Sequence, residues 1–344
     1  GSADISVVLL ATLESRVAVA QEGPDSNPHW SPDGSQLAFS TAMGKPSYAN
    51  RLLATITPGS ANVLPISEAF DENPGLIAWT KAGIHFSAPQ RTATALFTIT
   101  PETRQITKHA IGDAWSGGGF SVTPDGASVA FVATGKSQFP EVFIAPVQSM
   151  AAKRLSNTGA QVSAWPKHTR DVISWKSQDG VEIEGVLHKP ADFVQGRRYP
   201  LLIVIHGGPT AVSVPTPYAS GSAYPIDSFL AKGALVLEPN YRGSAGYGEK
   251  FRSLNVRNLG IGDTGRHVAT IGDAAAQPIA AVGDGEKIAA IGSNPDRRQA
   301  AELAVRGRQF EPAAEHQRTE LPGGGVARVE AFDRPHPDID FRQR

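Results

Sequence analysis

Leu201-Leu202-Ile203-Val204-Ile205-His206-Gly207-Gly208-Pro209 is the run on which the fold turns. Five apolar residues run without a polar break and stop at a glycine pair. An uninterrupted run of that length is what a strand buried on both faces of a covered sheet requires. Downstream, Ala234-Leu235-Val236-Leu237 is a second such strand. Between the two, Ile226-Asp227-Ser228-Phe229-Leu230-Ala231-Lys232-Gly233 reads as the end of a helix with a glycine cap. Upstream, Trp175 to Leu187 reads as a hairpin pair of strands around Asp179-Gly180. Residues 173–263 therefore read as the start of an α/β fold.

Residues 1–172 have a different grammar. Pro28-His29-Trp30-Ser31-Pro32-Asp33-Gly34 precedes the alternating run Gln36-Leu37-Ala38-Phe39-Ser40. Pro-Asp-Gly is turn chemistry, because proline presets φ and glycine accepts a positive one. The unit returns as Ala78-Trp79-Thr80-Lys81-Ala82-Gly83 and as Thr123-Pro124-Asp125-Gly126, each leading into a strand pattern. Gly34, Gly83 and Gly126 stand 49 and 43 residues apart. Four short strands with their turns take roughly 40–50 residues, so the period is that of a propeller blade. About three to four blades fit, fewer than most closed propellers have. The expected fold is a partial β-propeller followed by the start of an α/β domain. A β-sandwich with Pro-Asp-Gly hairpins is the alternative, and the repeat argues against it.

Residues 264–344 change character again. They hold ten Arg to one Lys, against eleven to ten before, and no Trp or Tyr. Two elements are expected there, a strand at Lys287–Ile291 and a helix at about Asp296–Arg306. Gly323-Gly324-Gly325 and Arg334-Pro335-His336-Pro337 read as loop or disorder.

A formal net charge of −1 argues against a nucleic-acid or anionic-membrane surface. No apolar run reaches the roughly 18–20 residues of a membrane span. Val7 to Leu13 looks loosely like a signal h-region, but Asp4 precedes it and Glu14 and Arg16 break the segment after Leu13, so a strand suits it better. The compartment, cytoplasmic or periplasmic, stays open. Cysteine is absent, which removes disulfides, thiolate metal sites and a thiol nucleophile. The His and Asp residues show no metal-ligand spacing, and no phosphate loop occurs. No cofactor is expected.

The chemistry sits in His206-Gly207-Gly208-Pro209. Acyl transfer needs donors aimed at a developing oxyanion. Glycines at a strand end leave their N–H groups free and let a substrate approach the backbone. A His-Gly-Gly loop in this place is a donor in lipase-like and esterase-like hydrolases. In order come Asp179-Gly180, Glu184-Gly185, Tyr199 to Pro209, Pro239-Asn240-Tyr241-Arg242-Gly243-Ser244 and Gly260-Ile261-Gly262-Asp263. Together they resemble the prolyl oligopeptidase family of serine peptidases, in its acylaminoacyl-peptidase and dipeptidyl-peptidase-like branch, over about residues 20–263. The resemblance implies a propeller that caps an α/β-hydrolase domain and excludes folded proteins. It implies short peptides as substrates, an acyl-enzyme, and an oxyanion donor at the Gly207 or Gly208 N–H, with Gly208 preferred. His206, Pro209, Tyr241 and Arg242 would form the active-site loop, Tyr241 and Arg242 as braces. It also implies a chain incomplete at both ends.

The nucleophile breaks the pattern. No Gly-x-Ser-x-Gly occurs in the 344 residues. Ser293 comes directly after the expected strand, where a nucleophile elbow would sit. Yet Ile291 and Pro295 occupy positions that an elbow needs small, and Asn294 capping a helix that begins at Pro295 suits the segment better. Asp333 and His336 have the triad order in surroundings unlike the family's; His267 and His316 read as solvated. Three readings compete: a diverged active peptidase, a truncated or frame-disrupted homologue without activity, and a binding protein using the scaffold without chemistry. The Arg-rich, Lys-poor tail, as out-of-frame GC-rich DNA would encode, favours the second. An esterase is the alternative enzyme. Open sheet edges predict association into oligomers or aggregates.

Overall fold

The computed structural model describes residues 3–111, 116–135, 138–177, 180–208, 210–217, 225–257, 288–292 and 301–303. By internal contacts the chain divides into Gly1–Arg306 and Gly307–Arg344, and every described residue lies in the first unit.

Strands β1 (Ile5–Leu9) and β2 (Glu14–Val19) form an antiparallel hairpin. Three four-stranded antiparallel sheets come next, and in each the strands pair in chain order. The first holds β3 (Asp25–Trp30), β4 (Leu37–Thr41), β5 (Leu52–Ile56) and β6 (Leu64–Pro65). The second holds β7 (Gly75–Thr80), β8 (Gly83–Gln90), β9 (Ala93–Ile99) and β10 (Ile106–His109). The third holds β11 (Ser116–Val122), β12 (Ser128–Gly135), β13 (Gln138–Pro146) and β14 (Lys153–Arg154).

The repeated sequence unit makes the same turn in the first and third sheets. Asp33 Oδ1 accepts from Ser31 Oγ at 2.6 Å and from the Ser35 N–H at 3.1 Å. Asp125 Oδ1 accepts from Thr123 Oγ1 at 2.5 Å and from the Ala127 N–H at 3.0 Å. The Ser31 hydroxyl, then the Ser35 amide, hold the Asp33 carboxyl down to about 2. In the second sheet Thr80 does the work of the aspartate, its Oγ1 accepting from the Ala82 N–H at 3.1 Å.

Alternation along the strands gives each sheet apolar faces. Ala38 and Leu53 of the first sheet meet Ile84, Phe86, Phe97 and Ile99 of the second. Phe86 and Phe97 stack at 5.1 Å, and Phe70 closes on both edge-on at about 5 Å. Leu96 of the second sheet joins Val129, Phe131 and Phe143 of the third. Each fully buried side chain of this size contributes about 1.5–3 kcal/mol. The opposite face of the third sheet is bare: Val132 and its cross-strand partner Val142 are exposed, as is Ile144.

The last sheet is mixed. It comprises β15 (Thr169–Lys176), β16 (Glu182–Lys189), β17 (Leu201–Ile205), β18 (Leu235–Asn240), β19 (Ile288–Gly292) and β20 (Ala301–Leu303). Its order is β15-β16-β18-β17-β19-β20, with β17 parallel to both β18 and β19. Strand β17 is buried on both faces, as its apolar run predicts. Leu201 and Ile203 pack with Trp175, Ile183, Leu187 and Leu237. Leu202 and Val204 pack with Val236 and with Ile226 and Leu230 of α1 (Ile226–Ala231). That helix ends as expected, with the Gly233 N–H on the Leu230 carbonyl at 2.9 Å. A one-turn helix, α2 (Glu249–Arg252), comes after β18.

One expectation fails. Residues Ala301–Leu303 lie inside the stretch expected to be helical, and they form β20, antiparallel to β19. The edge of β19 offers unpaired N–H and C=O groups, and satisfying them outweighs the modest helix preference of an Ala-Glu-Leu segment.

Candidate active site

Parallel strands β17 and β18 run side by side, and ligands of open α/β sheets bind beyond the carboxyl ends of such strands. His206, Gly207 and Gly208 leave the sheet there. The His206 ring is held on three sides. Its Nδ1 lies 3.1 Å from the Gly207 carbonyl oxygen and its Nε2 2.9 Å from Ser244 Oγ. The ring stacks on Tyr241 with centroids 4.4 Å apart, and the Tyr241 hydroxyl donates to the His206 carbonyl at 2.8 Å. Burial pushes the imidazole below its usual value, so the ring is neutral at pH 7.

Gly207 is half-buried and Gly208 is exposed. Neither N–H has a hydrogen-bond acceptor among the described residues. Gly208 sits at φ +122°, and a Cβ there would lie 2.8 Å from the Ala211 nitrogen and 3.0 Å from that of Thr210. The turn therefore requires glycine. Two amides without an acceptor among the described residues, on a neutral, pinned loop beyond the carboxyl end of β17, can stabilise negative charge.

The loop after β18 holds this turn. The Ala245 N–H donates to the Thr210 carbonyl at 3.2 Å. Asn240 Oδ1 accepts from the Ser213 N–H at 2.7 Å, and its Nδ2 donates to the Ser213 carbonyl at 2.9 Å. Arg242 is buried and directs a guanidinium nitrogen to Ser177 Oγ at 2.6 Å.

The same loop is clamped to the earlier sheets. Glu72 accepts from the Gly246 N–H at 2.6 Å and from Arg252 Nη1 at 2.8 Å. Asp71 accepts from the Glu249 N–H at 2.9 Å, and Glu249 accepts from the Asn50 N–H at 2.7 Å. At the β8–β9 turn, the Arg91 N–H donates to the Gly246 carbonyl at 2.8 Å. A Cβ on Gly246 would lie 2.7 Å from the Arg91 carbonyl oxygen, so only glycine allows this approach. The Arg91 guanidinium pairs with Glu184, which also accepts from the Tyr247 hydroxyl at 2.9 Å. Burial, reinforced by the Glu184 charge, drives the Tyr247 phenol upward.

The structure thus brings His206, Gly207, Gly208 and Tyr241 together and turns Arg242 aside toward Ser177. Pro209 and Ser293 lie outside the described residues, as do His267, His316, Asp333 and His336. Strand β19 ends in register with β17, Gly292 opposite Ile205. The chain returns as β20 within eight residues. Among the described residues, no group of His, Asp and Glu could hold a metal. Ser244, Glu72, Arg91 and Glu184 were not singled out by sequence reasoning for these contacts. Ser244 lay inside a quoted motif, whereas Glu72 and Arg91 carry no local signal.

No protein-family model matches the chain. Dipeptidyl-peptidase 5 of Trichophyton equinum is 24% identical over 255 residues, 68% of this chain and 33% of that protein. The peptidase YuxL of Bacillus subtilis is 32% identical over 135 residues, 38% of this chain and 19% of that protein. Among solved structures, the acylaminoacyl peptidase of Pyrococcus horikoshii superposes with a TM-score of 0.66 at 17% identity, covering 81% of this chain and 42% of that one. The chain spans about a third of the length of the first two dipeptidyl-peptidases it matches. These likenesses, with the His-Gly-Gly turn and the Asn-Tyr-Arg-Gly-Ser loop that braces it, support a prolyl oligopeptidase-family peptidase.

Proposed function

We propose that this chain carries the substrate-enclosing sheets and the oxyanion arm of a serine-type peptidase acting on short peptides. The three four-stranded sheets are blades of a partial β-propeller, and the mixed sheet is the first part of an α/β-hydrolase domain. Supporting this are the three consecutive meanders of one repeat length and the strand order β15-β16-β18-β17-β19 with its parallel centre. The domain limits are then about 1–172, 173–263 and an atypical 264–344, with β15 already under way at Thr169.

The observation that carries the reading is the pair of amides at Gly207 and Gly208, unsatisfied among the described residues, beyond a buried parallel strand. In acyl transfer a hydroxyl oxygen, its proton taken by a general base, bonds to the scissile carbonyl carbon, and the opened C=O π pair leaves the carbonyl oxygen with a full negative charge. The Gly208 N–H, on an exposed residue in a turn that only glycine fits, would receive it. One such donor is worth about 10²–10³ in turnover. Nothing in this step calls for a cofactor. The same donors serve an ester carbonyl, so esters are alternative substrates.

The nucleophile is the missing half. The sequence has no Gly-x-Ser-x-Gly, and Ile291 and Pro295 stand at the positions around Ser293 that an elbow needs small. The polypeptide as it stands binds short peptides at this turn and does not turn them over, the deficit being on the order of 10⁶-fold. Fluorophosphonate labelling with intact mass and peptide mapping tests this. No adduct is expected, with an active serine peptidase labelled in parallel. A stoichiometric adduct on Ser293 would establish a working elbow and overturn the proposal of inactivity.

A further inference from the structure

We infer that Ser244 and His206 are positioning residues for the Gly208 N–H. Ser244 fixes the ring as its Nδ1–H tautomer, and that proton holds the Gly207 carbonyl, so the amide on the opposite edge of the same peptide faces outward. The inference rests on the reading of Gly208 as oxyanion donor.

The tautomer is set by the partners. A carbonyl oxygen only accepts, so the 3.1 Å contact with the Gly207 oxygen requires a proton on Nδ1. In a neutral ring Nε2 is then an acceptor, and the Ser244 hydroxyl at 2.9 Å is its donor. Ser244 is fully buried, so no water competes for its hydroxyl. The peptide plane supplies the second step. Across a trans peptide, C=O and N–H point in opposite directions. The carbonyl of Gly207 and the N–H of Gly208 belong to one such plane. Drawing the carbonyl toward the ring therefore turns the Gly208 N–H away from it, on an exposed residue where that N–H has no acceptor among the described residues. The opposite tautomer would set the Nδ1 lone pair against the carbonyl oxygen and push the plane over.

Tyr241 separates this role from simple bracing. Its hydroxyl binds the His206 main-chain carbonyl and its ring stacks on the imidazole, yet it touches neither ring nitrogen by a hydrogen bond. Losing its hydroxyl loosens the loop without changing the tautomer.

The test is ¹⁵N NMR of the full chain with labelled histidine and glycine, the His206 signal being assigned from its loss in His206→Gln. The wild type is expected to show one tautomer, with Nδ1 protonated. Ser244→Ala should convert it to a mixture and shift the Gly208 amide, whereas Tyr241→Phe should leave the tautomer alone. A wild-type ring protonated on Nε2 would overturn the proposal without any variant. So would a folded Ser244→Ala chain in which tautomer and Gly208 amide are both unmoved. Titration with N-acetyl-alanyl-alanine, whose carboxylate stands in for the oxyanion, separates the two readings. A Gly208 amide that answers to Ser244→Ala but not to this probe upholds the positioning role and removes the oxyanion assignment.

Discussion

Gly208 is where one methyl group decides most. At φ +122° any other residue is strained, and its Cβ would press on the amide nitrogens of Thr210 and Ala211. Those are backbone atoms and cannot rotate away. Gly208→Ala is expected to destabilise the chain by about 1–3 kcal/mol, the usual cost of a non-glycine residue in such a conformation. A lower urea midpoint at unchanged m-value would register it, and an unchanged midpoint would mean that the turn relaxes freely. This part of the site is legible in sequence, since a strand, a histidine and two glycines in succession are a local pattern with a local cause. Ser244 is not legible in the same way. Its partner lies 38 residues away, and a serine in a glycine-rich loop carries no sign of which ring nitrogen it will meet.

Between elements, a polar clamp joins the second sheet's approach to the loop after β18. Glu72 and Arg252 form an ion pair with side chains 1% and 2% exposed. Such a pair adds little over an apolar contact, but losing one partner strands the other's charge. Glu72→Ala should therefore cost about 3–5 kcal/mol. It removes the acceptor of the Gly246 N–H as well as the counter-charge of Arg252. Glu72→Gln keeps an oxygen for Gly246 and should cost less. Urea denaturation of both variants beside Arg252→Met and the double variants gives the coupling, and a coupling near zero would show that the pair is not what holds the loop. Strand β18, next to the clamp, is readable from its uninterrupted apolar run, which is a property of neighbours in sequence. The clamp is not, because Glu72 and Arg252 are 180 positions apart and each alone looks like a surface charge. The strand at Ala301–Leu303 escaped for a related reason: its pairing depends on the free edge of β19, which a local helix preference does not report.

Across the molecule, the three repeat sheets stack through apolar faces interrupted by one polar column, and that column sets the response to acid. His85 is fully buried in the second sheet. Its Nε2 meets Thr80 Oγ1 at 2.9 Å and its Nδ1 meets Thr98 Oγ1 at 3.1 Å, with His109 Nε2 2.7 Å beyond on the same hydroxyl. The third sheet presses on the column, since a Cβ on Gly126 would lie 3.3 Å from His85 Nε2. Burial, then the neighbouring His109, depress His85 to about 4. An unfolded histidine titrates near 6.5. Between those values the unfolded chain holds a proton that the native chain refuses, so unfolding gains ground as pH falls. The stabilisation is complete above pH 6.5 and lost progressively down to pH 4, about 3 kcal/mol in all. The turn aspartate Asp33, held at about 2, loses its contribution only below the ordinary carboxylate range and does not overlap that window. Burial lowers His109 and His206 in the same direction, so the wild-type slope is steeper than His85 alone would give. The difference between wild type and His85→Gln isolates the column. Urea midpoints from pH 7.5 to 4.5 should fall less steeply for the variant, whatever its stability at pH 7.5. Parallel slopes would mean that His85 takes up its proton without disturbing the contact between the second and third sheets.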